Sequence, residues 1–507
     1  MRSENSARNS LAAIAGQTIS VIFGFITRYW FIRVLGEGYL GVNGVFCSVL
    51  SLLSLTELGL GSAITYALYR PLADHDDEAA GRIMNLYAKA YRVVALVVTL
   101  LGLCLVPFLG FITRDVPEVR HVTLIYLLFL ANSAGSYLFS YRRALVTASE
   151  RDSRSTLNLA VFSVLQNLAQ LVIIIVTGNY ILYLAAQIVC TLASNIEISL
   201  AAKKMFPFLG KTKSLPDEET KKSIADNVKS AFISRFGSVA VTGTDNLLIA
   251  SINVVLVGLY SNYLLILQTI QTILSQVMNA VTASVGNLIA EVAGERRREI
   301  YFDITFAVAW MYGFSAIALD CLMTPFIRVA FGAGLEIPET AVHLMALNFY
   351  LAGIRQPNLI YINAAGLFRP VRYKGFVEAA VNLGVSVLFL RLGMGLEGVL
   401  LGTTISHLAT SVWWEPLAVD RNCLDGSMKK WMANNLVFGA VVALTGWGTR
   451  TICDLLPGGI GGFAMAMGVV VILPNAVFLA LSFRRGEFRF FTGVVKRFAG
   501  KILRRAK

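Results

Sequence analysis

Apolar runs recur from one end of the chain to the other, separated by short polar or charged intervals. A helix rises about 1.5 Å per residue, so a run of roughly twenty residues crosses the ~30 Å hydrocarbon core of a bilayer. The pattern predicts membrane spans near 10–35, 42–66, 91–112, 122–141, 157–177, 181–202, 231–252, 256–285, 304–325, 342–363, 373–390, 398–417, 432–455 and 459–483. The fold class that follows is an all-α membrane protein of about 14 transmembrane helices.

Connections on one side are very short, as at 36–41, 178–180 and 391–397, and the longest of them is near 326–341. None has room for a folded catalytic domain. On the other side, 203–230 is charged and contains prolines, and reads as a cytoplasmic linker. The expected organisation is an N-terminal six-helix lobe over 1–202, that linker, a C-terminal six-helix lobe over 231–418, two further spans within 419–483 and a basic cytoplasmic tail over 484–507. An internal repeat at an offset of 217 supports the split: Thr27-Arg28 falls on Thr244-Asp245, Gly41-Val42 on Gly258-Leu259, and Phe46 on Tyr263. Two six-helix lobes with a substrate site between them are a common transporter plan. The tail mixes Phe488, Phe491, Phe498 and Leu503 with nine Lys and Arg. It reads either as an amphipathic helix on the inner leaflet or as a solvated segment that fixes topology.

Composition agrees with the spans: of 507 residues 56% are hydrophobic and 15% charged, and the mean hydropathy is +0.65. A soluble domain needs more polar residues than that to cover its surface. The net charge of +13 raises the question of nucleic acid, and the positions of the cations answer it. With the N-terminus inside, 33 of the 44 Lys and Arg fall in inner segments, 4 in outer ones and 7 within or at the ends of spans. Positive charge therefore marks orientation, with both termini cytoplasmic and no role in binding nucleic acid. Met1 to Asn9 is short and polar, and the run after it exceeds the apolar core of a signal peptide, so it is expected to stay as the first span.

The scattered cysteines Cys47, Cys104, Cys190, Cys321, Cys423 and Cys453 show no C-x-x-C spacing and read as packing residues, so no metal site is expected. Gly210-Lys211-Thr212 lacks the leading glycine of a phosphate loop, since Met205 stands there. No cofactor is expected, and the chain reads as a transporter and not as an enzyme.

Segments 5–10 (N-S-A-R-N-S), 26–46 (I-T-R-Y-W-F-I-R-V-L-G-E-G-Y-L-G-V-N-G-V-F) and 53–73 (L-S-L-T-E-L-G-L-G-S-A-I-T-Y-A-L-Y-R-P-L-A) resemble the opening of bacterial oligosaccharide flippases. Further stretches at 257–263, 366–383 and 392–406 look like the same family, in the right order over essentially the whole chain. These proteins are repeat-unit translocases of capsule, O-antigen and related polymers, within the multidrug/oligosaccharidyl-lipid/polysaccharide exporter superfamily. The resemblance implies two six-helix lobes around a central cavity plus two extra helices. It also implies an undecaprenyl-diphosphate-linked oligosaccharide as substrate, flipped from the cytoplasmic to the outer leaflet of the bacterial inner membrane without ATP. A polysaccharide polymerase and glycosyltransferases are the partners it suggests, beside the lipid bilayer.

A diphosphate calls for arginine, whose planar fork binds two oxygens and stays charged. An arginine within a span costs ~3 kcal/mol or more and so invites a functional reading. Arg28 continues a small or polar stripe of Gln17, Ser20, Gly24 and Thr27. Arg355 precedes Gln356 and Pro357, a proline expected to kink its helix. Each reads as substrate contact or as one half of an ion pair. Arg33 and Arg235 stand nearer span ends, where snorkelling is the simpler account. Asp245 and Glu57 are acids within spans, suited either to a coupling proton or cation or to neutralising Arg28 or Arg355. Gln268, Thr272, Ser275 and Asn279 form a polar stripe that fits sugar hydroxyls or helix–helix hydrogen bonds equally. Two other functions compete: a cation-coupled drug exporter of the same superfamily, and a membrane-embedded polysaccharide polymerase or ligase, which commonly needs a sizeable outer loop.

Overall fold

The computed structural model describes the chain except residues 1, 58, 117, 150–151, 210–211, 213, 292–293, 425, 485, 487 and 489–507, together with the side chains of 2–18, 56, 139–140, 152–153, 234–235, 238, 280, 283–284 and 286–291. Among the described residues there is no strand. The helices are α1 (Arg2–Leu35), α2 (Glu37–Leu53), α3 (Leu60–Ala73), α4 (Asp77–Leu105), α5 (Leu109–Ile112), α6 (Val122–Ser140), α7 (Arg143–Ala148), α8 (Asp152–Thr177), α9 (Tyr180–Met205) and α10 (Glu218–Ile252). They continue as α11 (Val254–Glu291), α12 (Glu295–Ala330), α13 (Glu339–Ile354), α14 (Gln356–Ala365), α15 (Phe368–Val371), α16 (Lys374–Arg391), α17 (Gly395–Ser406), α18 (Val412–Val419), α19 (Met428–Asp454) and α20 (Gly459–Ser482). Every one of the predicted spans is occupied by helix, and this is a multi-pass membrane protein. Eight described helices are by themselves long and apolar enough to cross a bilayer. Large apolar side chains such as Val93, Val176, Val189, Leu436 and Trp447 are exposed, which is stable only against lipid.

Four of the predicted spans are interrupted among the described residues, 91–112 by the 3-10 turn Val106–Phe108 between α4 and α5 and three others as follows. Between α2 and α3, Ser54–Glu57 forms a 3-10 turn, and Gly59 follows at φ +89°. Only glycine fits there on two counts: the left-handed backbone, and the α10 backbone atoms Phe232 N and Val228 O, which a Cβ would meet at 2.8 and 2.9 Å. The α13/α14 junction falls at Arg355, where Pro357 lacks the N–H that a continuous helix would use, as the sequence predicts. Between α17 and α18 the chain widens into a π-helical turn, His407–Ser411, which rotates His407 and Ser411 onto the face that α16 covers.

The expected 203–230 linker is shorter in the structure. Helix α9 runs on to Met205, and α10 begins at Glu218, capped by Asp217, whose carboxylate accepts from Thr220 N at 3.1 Å. The acids that read as a linker belong to a helix N-terminus, where negative charge and a side-chain acceptor satisfy the first amides. The intervening segment docks on α4, where Asn85 Nδ2 donates to the Thr212 and Ser214 carbonyls at 2.7 and 3.1 Å.

The chain forms two compact units, Met1–Gly258 and Leu259–Lys507, so α10 belongs with the first. In that unit α1 packs along α8, α6 along α9, and α10 along α2 and α3. In the second unit α12 is the core helix, touching α13, α19 and α20, while α16 pairs with α17. The residues aligned by the repeat play matching parts. Phe46 and Tyr263 are both fully buried, and Gly41 and Gly258 are in direct backbone contact, a Cβ on Gly258 falling 2.7 Å from Gly41 N. The expected amphipathic tail lies outside the described residues, apart from Arg484, Gly486 and Phe488, the last of which stacks on Trp310 of α12.

Candidate functional site

A groove of about 620 Å³ runs between α12, α13 and α19 of the second unit. Its floor exists because α19 presents small residues at helical spacing, Gly439, Ala443 and Gly446, where larger side chains would fill the furrow. Ile317, Leu347, Leu351, Ile354 and Val442 make the walls, and the exposed Leu408, Leu436 and Trp447 form an apolar rim. At one end Asp320 and His343 are joined at 2.6 Å. Toward the other end, near the start of α19, lie three buried polar atoms with no hydrogen-bond partner: Tyr350 Oη, Trp431 Nε1 and Asn435 Oδ1. A buried polar atom left unmet costs about 1–3 kcal/mol. All three atoms are shielded from the groove's open space, while the apolar parts of their side chains line it. Nothing in the sequence singles this groove out, because ordinary core residue types line it.

Behind the wall formed by Ile354, Leu408 and Val412 stands a buried charge cluster. Arg355 donates through Nε to Glu415 Oε2 at 3.0 Å and through Nη2 to Glu415 Oε1 at 2.6 Å, a two-pronged pair, and its Nη1 lies 3.6 Å from Glu378. Lys374 Nζ bridges both acids, at 2.7 Å from Glu378 and 2.9 Å from Glu415. His407 Nδ1 and Ser411 Oγ lie 2.9 and 2.8 Å from Glu378 Oε1. Two fixed cations thus face two carboxylates, which lets four charges stay out of water. The sequence reading singled out Arg355 alone. Its partners come from α16, the π turn and α18, elements that nothing local in the sequence connects. The Lys374/Glu378 spacing of four at the edge of an apolar run is the one available signal.

The other expected residues stand apart. Arg28 is half-buried beside Tyr180, Tyr183 and Cys47, and Thr27 donates to the Asn167 carbonyl at 3.3 Å. Glu57 sits in the turn between α2 and α3, accepts from Tyr91, and lies against Tyr137. Tyr87 donates to Tyr91 at 3.1 Å, extending a chain of phenols. Asp245 is buried in α10. Arg33 is exposed, 5.0 Å from the Tyr29 ring. Gln268, Thr272 and Asn279 are exposed on α11, with Ser275 half-buried. The side chains of Gln17 and Arg235, and residues Gly210 and Lys211, lie outside the described residues. Missed by the sequence reading is Arg143, which spreads over Ser155, Asn158, Ser194 and Asn195 at 2.9–3.3 Å. Among the described residues no three side chains form a metal-binding group.

No family model matches the sequence, and a comparison with curated proteins finds no match. Solved structures do match. A MATE family multidrug resistance transporter of the MOP superfamily, in an inward-facing conformation, superposes with a TM-score of 0.63 at 17% identity, over 82% of this chain and 99% of that one. The lipid II flippase MurJ, inward closed, gives 0.65 at 12% identity over 93% and 98%. An outward-facing MATE transporter gives 0.57 at 15% over 84% and 96%. This chain therefore has the fold shared by those transporters.

Proposed function

We propose that the protein is a flippase for a lipid-linked oligosaccharide, of the undecaprenyl-diphosphate type, moving it from the cytoplasmic to the outer leaflet of the bacterial inner membrane by alternating access without ATP. The observation that carries this reading is the groove, whose apolar walls and exposed apolar rim suit an isoprenoid tail. The likeness to a lipid II flippase over nearly the whole of both chains supports it, as does the charge split that puts both termini in the cytoplasm. Arg28, Arg33 and Arg235 are the candidate cations for the diphosphate, and Gln268 and Asn279 the candidates for the sugars. Arg355 is the weaker candidate because Glu378 and Glu415 already occupy its fork. Glu57, held by phenols and with no ion-pair partner among the described residues, suits a coupling proton or cation. A polysaccharide polymerase and glycosyltransferases would act after and before it.

The test fills the groove. Gly439→Leu projects a side chain toward Tyr350, 3.8 Å from the Cβ position, whereas Gly448→Leu on the same helix meets open space. In a strain deleted for the gene, at matched membrane levels, Gly439→Leu should lower surface polymer roughly tenfold or more, a loss of transition-state binding of about 1.4 kcal/mol, and Gly448→Leu should not. Full polymer from Gly439→Leu would remove the groove from the account.

A further inference from the structure

Helices α12 and α19 run parallel and in register. Phe306 meets Phe438 with ring centroids 5.8 Å apart, a Cβ on Gly313 would stand 2.7 Å from Val442, and one on Gly446 would stand 3.4 Å from Ile317. One turn on, Arg450 Nη1 donates to the Asp320 carbonyl at 2.6 Å. The next step of that register brings Cys321 beside Cys453, both of them free thiols in the structure. Cys321 is buried and Cys453 half-buried.

The pair sits beside a ring of charge. Arg450 binds Glu339 and Asp454 at 2.9 and 3.0 Å, and Asp320 binds His343. Glu339 and Asp454 are 66% and 61% exposed, so this end of α19 is in water and an oxidant can reach Cys453. By the charge split it is the extracytoplasmic end, where disulfides form and persist.

We infer that Cys321 and Cys453 are joined by a disulfide in the extracytoplasmic compartment, tying α12 to α19 at one end of the groove. The inference rests on the inside–outside assignment made under the proposed function, and not on the substrate. The oxidant is a disulfide-carrying donor of that compartment. The Cys453 thiolate attacks the donor disulfide, releasing one donor thiol. The Cys321 thiolate then attacks the mixed disulfide at Cys453 and releases the second. Two electrons pass to the donor and two protons leave the pair. The tie fixes Ile317 and Asp320 of α12 against Gly446 and Trp447 of α19, all groove-lining residues. It sets the width of that end while the foot near Trp431 stays free to move.

The test counts thiols. Cells are acid-quenched, and the whole chain is denatured and treated with a maleimide-polyethylene glycol, with and without prior reduction. Of six cysteines, four should be labelled without reductant and six with it. Cys321→Ser and Cys453→Ser should each show five under both conditions. Six labelled thiols without reductant would overturn the inference. A second arm then separates the causes, with oxidised glutathione added to the purified protein. Joining there but not in cells places the error in the inside–outside assignment, and joining in neither places it in the register of α12 and α19. Surface polymer in the Gly439→Leu strain reports on the substrate reading independently.

Discussion

Arg355 is 14% exposed and Glu415 2%, and each is tolerable in a membrane protein only because of the other. Removing one member of such a cluster leaves an uncompensated buried charge, whereas removing a matched pair leaves none. Glu415→Gln should therefore destabilise the protein by about 3–5 kcal/mol. Arg355→Met combined with Glu415→Leu should recover most of that loss, because Lys374 and Glu378 remain as a neutral pair at 2.7 Å. Thermal unfolding midpoints in detergent measure both. A double variant no more stable than the single one would mean that Arg355 is held for something other than Glu415, and would return it to the substrate site. The same residue shows why the site was only partly legible in the sequence. A lone arginine in an apolar run stands out by its cost, but its partners Glu378 and Glu415 lie 23 and 60 positions away on other elements, and no spacing rule reaches across them.

At the scale of elements, the apolar runs found the helices, because each run must satisfy its own backbone in lipid and only a helix does so. The breaks were less visible. Pro357 announces the α13/α14 junction, but the turn at Ser54–Glu57 and the π turn at His407–Ser411 lie in sequence with no proline, where hydropathy continues and only the hydrogen-bond ladder changes. The repeat, in contrast, marked a contact: Gly41 and Gly258 meet where the backbones of α2 and α11 touch. A Cβ on Gly41 would fall 2.3 Å from the Val254 carbonyl oxygen and 2.8 Å from its carbon, backbone atoms that cannot swing aside as the end of a flexible side chain would. Gly41→Val should thus lower stability by about 1–3 kcal/mol or more, as overpacking does. Gly24→Val on α1, which meets nothing within 4 Å, should cost no more than its helix propensity. The yield of monodisperse protein and its unfolding midpoint distinguish the two; equal behaviour would deny the close approach.

The whole molecule is described by a charge pattern and a groove. The 33-to-4 split of basic residues predicts that reporter fusions in the 206–217 connection and after Lys507 both give a cytoplasmic signal, and an extracytoplasmic signal from either overturns the topology. The groove could not be read from the sequence at all, because it is made by what α19 lacks at Gly439, Ala443 and Gly446. The most direct test of the account is translocation by the purified protein in proteoliposomes. A fluorescently tagged polyprenyl-diphosphate-linked oligosaccharide is placed in one leaflet, and its arrival in the other is followed by quenching from outside. The account predicts movement without ATP by the wild-type chain, slowed roughly tenfold or more by Gly439→Leu and unchanged by Gly448→Leu. Ion-driven export of a cationic dye, with no movement of the tagged glycolipid, would contradict it.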